Sequence, residues 1–218
     1  MNERTIYLLS PTPKEGTTHL PMIDFHTVAT HLELAGCDTL MFTSKQAVLR
    51  ADEIDQGWRD YPCIAIGPAT RKQIETLGGE VVYHPSAFYG EVLSKEIANR
   101  FSDRKVLYLR PKEVSFDAKD YLAQQGITLQ EQIIYETRCV RYEAEDAPVK
   151  GAIIIFTSPS TIRCFFQHFS WDESYTAVVI GESTKVHLPQ EVTAVVADAP
   201  LIDSCIEKAH DLRISNPK

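Results

Sequence analysis

Two stretches of this chain repeat one another at a fixed distance, and no other feature narrows the possible folds as much. Phe42-Thr43-Ser44 returns as Phe156-Thr157-Ser158, Ile66-Gly67 as Ile180-Gly181, Thr70 as Thr184 and Val82 as Val196, each pair 114 residues apart, as 42 is from 156. The matched residues fall at the ends of short apolar runs rich in Ile and Val. Those runs alternate with amphipathic stretches, which is the rhythm of a parallel sheet covered by helices. A shared offset at strand ends argues for two copies of one α/β unit. The expected strands are Thr5–Leu9, Thr39–Phe42, Cys63–Ile66, Val81–Tyr83, Val106–Leu109, Ala152–Phe156, Ala177–Ile180 and Ala194–Val196. Helices are expected over Pro68–Leu77, Glu91–Arg100, Ala118–Gln125, Thr161–Phe169 and Leu201–Leu212.

One strand breaks the simple repeat. Arg104 to Pro111 continues the first copy, but adding 114 runs past residue 218, and its match is Arg4 to Pro11, at an offset of 100 (104 against 4). The inferred fold is therefore α/β with two similar lobes, each a parallel sheet flanked by helices. Lobe one is discontinuous, 1–21 with 140–218, and lobe two is the insert 22–139. The chain crosses between them near Pro21–Phe25 and Tyr135–Arg141, where Ile133–Tyr142 has enough β-formers to pair with Met22–Phe25 as a two-strand hinge. Closure about that hinge is the expected motion. Ligands of open parallel sheets bind beyond the carboxyl ends of the strands, which places the expected site in the cleft between lobes.

Charge and cysteine usage exclude several classes. A net charge of −8 with no basic stripe argues against nucleic-acid and anionic-membrane partners. The first ten residues lack the apolar core of a signal peptide and no run approaches the ~20 apolar residues of a membrane span, so a cytoplasmic location is expected. Cys37, Cys63, Cys139, Cys164 and Cys205 form no CxxC pair and are odd in number, which predicts small core residues and no disulfide framework. The histidines form no ligand cluster, so no metal and no cofactor is expected. Gly67-x-x-Thr70 lacks the Lys-Ser/Thr of a phosphate loop and no G-x-G-x-x-G opens a helix, which excludes ATP and dinucleotides.

The repeated motifs carry the candidate site. Ser44 and Ser158 each end a strand and start a helix, where a serine caps the helix and the neighbouring N–H groups remain open to a carboxylate. Capping alone also accounts for both serines. Thr70 and Thr184 follow Gly67 and Gly181 at the same sheet ends. Lys45, Arg71, Lys72, Arg110, Lys112 and Lys185 stand beside these turns, either as a local cationic rim or as solvated helix surface. Tyr135, at the end of the apolar stretch Gln132–Ile134, offers a phenol that stays protonated at neutral pH and can donate a proton or hydrogen bond. Simple packing with its hydroxyl at the surface is the alternative.

Taken in order, Phe42-Thr43-Ser44-Lys45-Gln46-Ala47-Val48, Gly67-Pro68-Ala69-Thr70, Ile134-Tyr135-Glu136-Thr137, Phe156-Thr157-Ser158-Pro159-Ser160 and Gly181-Glu182-Ser183-Thr184 resemble the uroporphyrinogen-III synthase family over about Thr5 to Leu212. The resemblance implies a monomeric, cofactor-free enzyme that cyclises hydroxymethylbilane with loss of water and inversion of ring D; transient contact with hydroxymethylbilane synthase is compatible with it and is left open. It implies substrate held by backbone amides and by the hydroxyls of Ser44, Thr70, Ser158 and Thr184, with Thr43, Thr157, Gly67 and Gly181 completing the turns. Tyr135 matches the tyrosine that assists loss of hydroxide. The sequence departs from the family at Arg71 and Lys185, where Ala is frequent, and over Ser10–Leu20, which is too short and too rich in Pro, Gly and Thr for the usual helix. A non-catalytic two-lobed protein that binds or senses a small anion is the competing reading.

Overall fold

The structure is a computed structural model that describes residues 3–85, 95–96, 99–114, 118–124 and 129–214. The chain divides into two compact units. Unit 1 comprises Met1–Asp24 and Arg138–Lys218, and unit 2 comprises Phe25–Thr137.

Unit 2 is built on a sheet of β3 (Ile23–Thr27), β4 (Thr39–Phe42), β5 (Pro62–Ala65), β6 (Glu80–Tyr83), β7 (Val106–Pro111) and β8 (Gln130–Cys139), in the order β3-β8-β7-β4-β5-β6. The ladders of β8 with β7, β7 with β4, β4 with β5 and β5 with β6 are parallel. Parallel strands covered on both faces need apolar side chains on both, and Thr39-Leu40-Met41-Phe42 is buried at every position. Alternation sorts those side chains. Leu40, Phe42, Leu107 and Leu109 pack with Val48, Ala51 and Trp58 on the side of helix α1 (Lys45–Ile54). Met41, Val106 and Tyr108 pack on the other, with Leu122 of α3 (Ala118–Gln124). Helix α2 (Pro68–Thr76) begins with Pro at its first position, where a missing N–H costs nothing. The helix expected over Glu91–Arg100 falls largely outside the described residues.

Unit 1 repeats the plan with β1 (Ile6–Leu8), β2 (Thr18–His19), β9 (Ile153–Phe156), β10 (Thr176–Val179) and β11 (Ala194–Val196), in the order β11-β10-β9-β1-β2 with parallel ladders throughout. Its helices are α4 (Pro159–His168), the short α5 (Glu182–Lys185) and α6 (Ile202–Ile214). Cys205 and Ala209 of α6 cover one face, over Ile6, Leu8, Ile153 and Ile155. The order β6-β5-β4-β7-β8 in unit 2 is the order β11-β10-β9-β1-β2 in unit 1, and the registers agree: Tyr108 lies opposite Met41 as Leu8 lies opposite Ile155. Ser10–Leu20 holds no helix; it turns through Gly16 and adds the two-residue edge strand β2.

One expectation is overturned. Cys139, the last residue of β8, and Cys164, buried in α4, form a disulfide with Cα atoms 5.3 Å apart. Spacing along the chain gave no sign of it, because the two meet through the topology, across 25 residues. Cys63 and Cys205 are buried free thiols and Cys37 is a half-buried one.

The two repeated glycines differ in what they demand. Gly67 sits at φ 90°, ψ 144°, a region open essentially to glycine alone, whereas Gly181 is extended at φ −179° with open space where a Cβ would stand. Gly67→Ala is therefore expected to cost about 1–3 kcal/mol and Gly181→Ala less than about 0.5 kcal/mol, as read by urea unfolding of the two variants side by side.

Candidate functional site

At the carboxyl end of β4 the chain turns into α1 through Thr43 and Ser44. Ser44 adopts the extended conformation of an N-cap, and its Oγ accepts the Ala47 N–H at 3.1 Å. The same Oγ lies 2.9 Å from the hydroxyl of Tyr135, and the Oγ1 of Thr43 lies 2.8 Å from the hydroxyl of Tyr108. Two adjacent hydroxyl residues thus meet two tyrosines, which belong to the core layers on opposite faces of the sheet.

Tyr135 does not end its strand as the sequence led one to expect. It lies inside the ten-residue β8, which is longer because it carries the chain from unit 2 into unit 1. The β7–β8 register pairs Arg110 with Ile133 but Pro111 with Tyr135, so one residue of β8 is left over between them. Such a bulge breaks strict alternation and re-aims a side chain. Ile134 and Tyr135 accordingly pack into the same layer, the one that contains α1. Phe25 meets the Tyr135 ring edge-on at 5.8 Å. Tyr135 is only 4% exposed, so its hydroxyl is not displayed at the surface but held on Ser44.

Both phenols are held in the neutral form. Burial raises the pKa of Tyr135, opposed by the Ser44 hydrogen bond and by the charge of Arg50. Burial pushes Tyr108 up to about 12, against the opposing pull of Thr43 and Arg110. Each therefore offers one proton across the physiological range. Beside them Arg110 pairs with Glu131 at 3.3 Å, largely shielded, and Lys112 pairs with Glu136 at 3.1 Å.

The other candidates fall into two further groups. Thr70, 3% exposed, stands in the first turn of α2 after Gly67, one strand away at the end of β5. In unit 1, Thr157 and Ser158 form the same corner after β9: the Ser158 Oγ accepts the Thr161 N–H at 3.2 Å, and Thr161 Oγ1 accepts the Ser158 N–H at 3.2 Å, a reciprocal capping box. Thr184, 2% exposed, follows Gly181 in the first turn of α5. Hydrogen bonds join Thr43 and Ser44 to the tyrosines; among the described residues none joins the remaining candidates to that pair. Of the basic residues, Arg71 pairs with Glu75 and Lys185 with Glu182, both on exposed helix surface, while Lys45 stands at the first position of α1.

Sequence reasoning missed Tyr108. The signal was present, since Tyr108 lies in an apolar run one strand from the Thr-Ser corner, but its meeting with Thr43 depends on the strand order.

The chain matches the family model described as Uroporphyrinogen-III synthase HemD over residues 16–207. Among solved structures it is similar to the uroporphyrinogen-III synthetase from Helicobacter pylori 26695, with 26% identity and a TM-score of 0.83, covering 96% of this chain and 99% of that one. A mutant uroporphyrinogen III synthase from the extremely thermophilic bacterium Thermus thermophilus shares the fold at 13% identity and a TM-score of 0.59, covering 97% of this chain and 98% of that one. No curated protein matches the chain.

Proposed function

The chain belongs to the uroporphyrinogen-III synthase family, whose reaction is the cyclisation of hydroxymethylbilane with inversion of ring D, and on that premise we propose that Tyr135, oriented by Ser44, is the hydrogen-bond donor to the departing hydroxyl. The contact between Ser44 and Tyr135 carries this reading. Ser44 Oγ receives the Ala47 N–H on one lone pair and keeps one proton of its own. When it gives that proton to the Tyr135 oxygen, the phenolic proton is free to point away from Ser44 toward a leaving oxygen. In the reaction the bond between the methylene carbon and the hydroxyl oxygen breaks, the pyrrole N–H proton is lost, and the two depart as water. A fixed neutral donor at that oxygen stabilises the charge that develops there.

Inversion of ring D asks for conformation more than for strong acid or base, because closure without enzyme gives the unrotated isomer. Holding the tetrapyrrole in one geometry supplies several kcal/mol by positioning alone. The substrate carries eight carboxylates. We assign them to the strand-end turns of Ser44, Thr70, Ser158 and Thr184, with Thr43, Thr157, Gly67 and Gly181 shaping those turns. Charge placement supports that assignment for three of the four turns. The first turns of α1, α2 and α4 hold no acidic residue, although the chain has 30 Asp and Glu and acidic residues are what helix stability favours there, whereas α5 carries Glu182 beside Thr184. N-termini kept clear of fixed negative charge suit an anionic ligand.

Among the described residues no helix is long and apolar enough to cross a membrane. We read the enzyme as a cytoplasmic monomer acting on hydroxymethylbilane. Incubation with freshly made hydroxymethylbilane and separation of the products is expected to give the type III isomer. Product of type I alone, in the proportion seen without enzyme, would favour the anion-binding alternative.

A further inference from the structure

We infer that Tyr108 is a positioning residue for substrate binding, acting through Thr43 by fixing the direction of the Thr43 hydroxyl. The inference rests on the assignment of the Thr43-Ser44 corner to the substrate.

Three observations lead to it. Tyr108 reaches Thr43 from the opposite layer to Tyr135, so the corner is held from both sides of the sheet. Among the described residues Thr43 is the only hydrogen-bond partner of the Tyr108 hydroxyl, which is otherwise enclosed in a residue 3% exposed. Either hydroxyl can donate across the Thr43–Tyr108 contact; with Tyr108 donating, Thr43 accepts and keeps its own proton for a ligand. With one lone pair occupied, the half-buried Thr43 must send its own proton elsewhere, and its direction is set by the bond it accepts. Thr43 thereby becomes a donor with a fixed aim, next to the cap serine and the open N-terminus of α1, which is what recognition of a carboxylate requires.

The repeat within the chain supplies a control. Leu8 stands in unit 1 at the register position of Tyr108, opposite Ile155 as Tyr108 is opposite Met41. Thr157 therefore receives no hydroxyl from that position, yet β9 and α4 build the same strand, turn and capped helix. The fold of the corner does not call for a phenol there, and the Tyr108 hydroxyl is left over from what folding requires.

The test is a double-mutant cycle on the full chain with hydroxymethylbilane, comparing Tyr108→Phe, Thr43→Val and the pair, with Thr43→Ser as a variant that keeps the hydroxyl. Losing one aimed hydrogen bond to a charged group is expected to raise KM about tenfold. Tyr108→Phe and Thr43→Val should each do so with kcat within about twofold, and the pair should be no worse than Thr43→Val alone. Thr43→Ser should stay close to the parent, and melting temperatures should change little in Tyr108→Phe. An unchanged KM in Tyr108→Phe, or effects that add in the pair, would overturn the proposal while leaving the site intact. An unchanged KM in Thr43→Val overturns it as well. The reading of the site itself fails separately, through an unchanged kcat in Tyr135→Phe.

Discussion

Tyr135→Phe is expected to lower kcat about a hundredfold, in line with removal of one fixed donor from a developing oxyanion, while KM moves by no more than a few-fold. The variant removes a single oxygen from a ring that stays packed against Phe25 and the α1 layer. The Ser44 cap survives, because Ala47 N–H still donates to its Oγ. The hydroxyl of Ser44 loses one partner, a cost of about 1 kcal/mol, too small to unfold the chain. Steady-state kinetics with isomer analysis would separate the roles. A fall in kcat with the III isomer retained marks a donor to the leaving group, and full activity would remove Tyr135 from the mechanism. Ser44→Ala should lower turnover less than Tyr135→Phe does, because the phenol stays but loses its orienting partner, and it should also weaken binding and helix stability through the lost cap.

The second large effect concerns stability. A Cβ at Gly79 would stand 2.5 Å from Cζ3 and 2.8 Å from Cη2 of Trp58, and 2.9 Å from Cγ2 of Ile74. Trp58 has no freedom to retreat. It is fully buried, its indole N–H donates to Asp52 at 3.0 Å, and its ring meets Phe42 edge-on at 5.5 Å. Gly79→Ala should therefore cost about 3 kcal/mol, the upper end for overpacking, and lower the melting temperature by about 6–12 °C for a chain of this size. Calorimetry on Gly79→Ala, Trp58→Phe and the pair would test the cause: the smaller ring should make the pair more stable than the sum of the two losses predicts. An unaltered melting temperature in Gly79→Ala would show that the sheet edge yields instead.

What could be read from the letters follows from how local each signal is. β4 was legible because four consecutive buried residues end at a serine that caps a helix, so sequence neighbours determine both its bounds. The same holds for β9 and Ser158. Gly67 and Gly181 look alike in sequence yet differ in φ by about a quarter-turn, because the conformation depends on how each helix leaves its strand. The disulfide between Cys139 and Cys164 was illegible for a related reason: the end of β8 meets α4 only once both have taken their places in unit 1, and no spacing rule encodes that. Tyr108 is the clearest case. Its apolar run marked a strand, but its partner is 65 residues away, and only the order β8-β7-β4 puts its hydroxyl beside Thr43.

The borrowed strand has a consequence for synthesis. β1 lies between β9 and β2, so this strand, once made, cannot find its main neighbour until well over a hundred further residues have followed it. All of unit 2 emerges in that interval and can fold first, while Ile6–Leu8 waits with both ladders unfilled or holding only β2. Such long-delayed parallel pairing is slow and leaves apolar edges open to other chains, which makes the segment from β1 to β2 the stretch of unit 1 that waits longest for its partner.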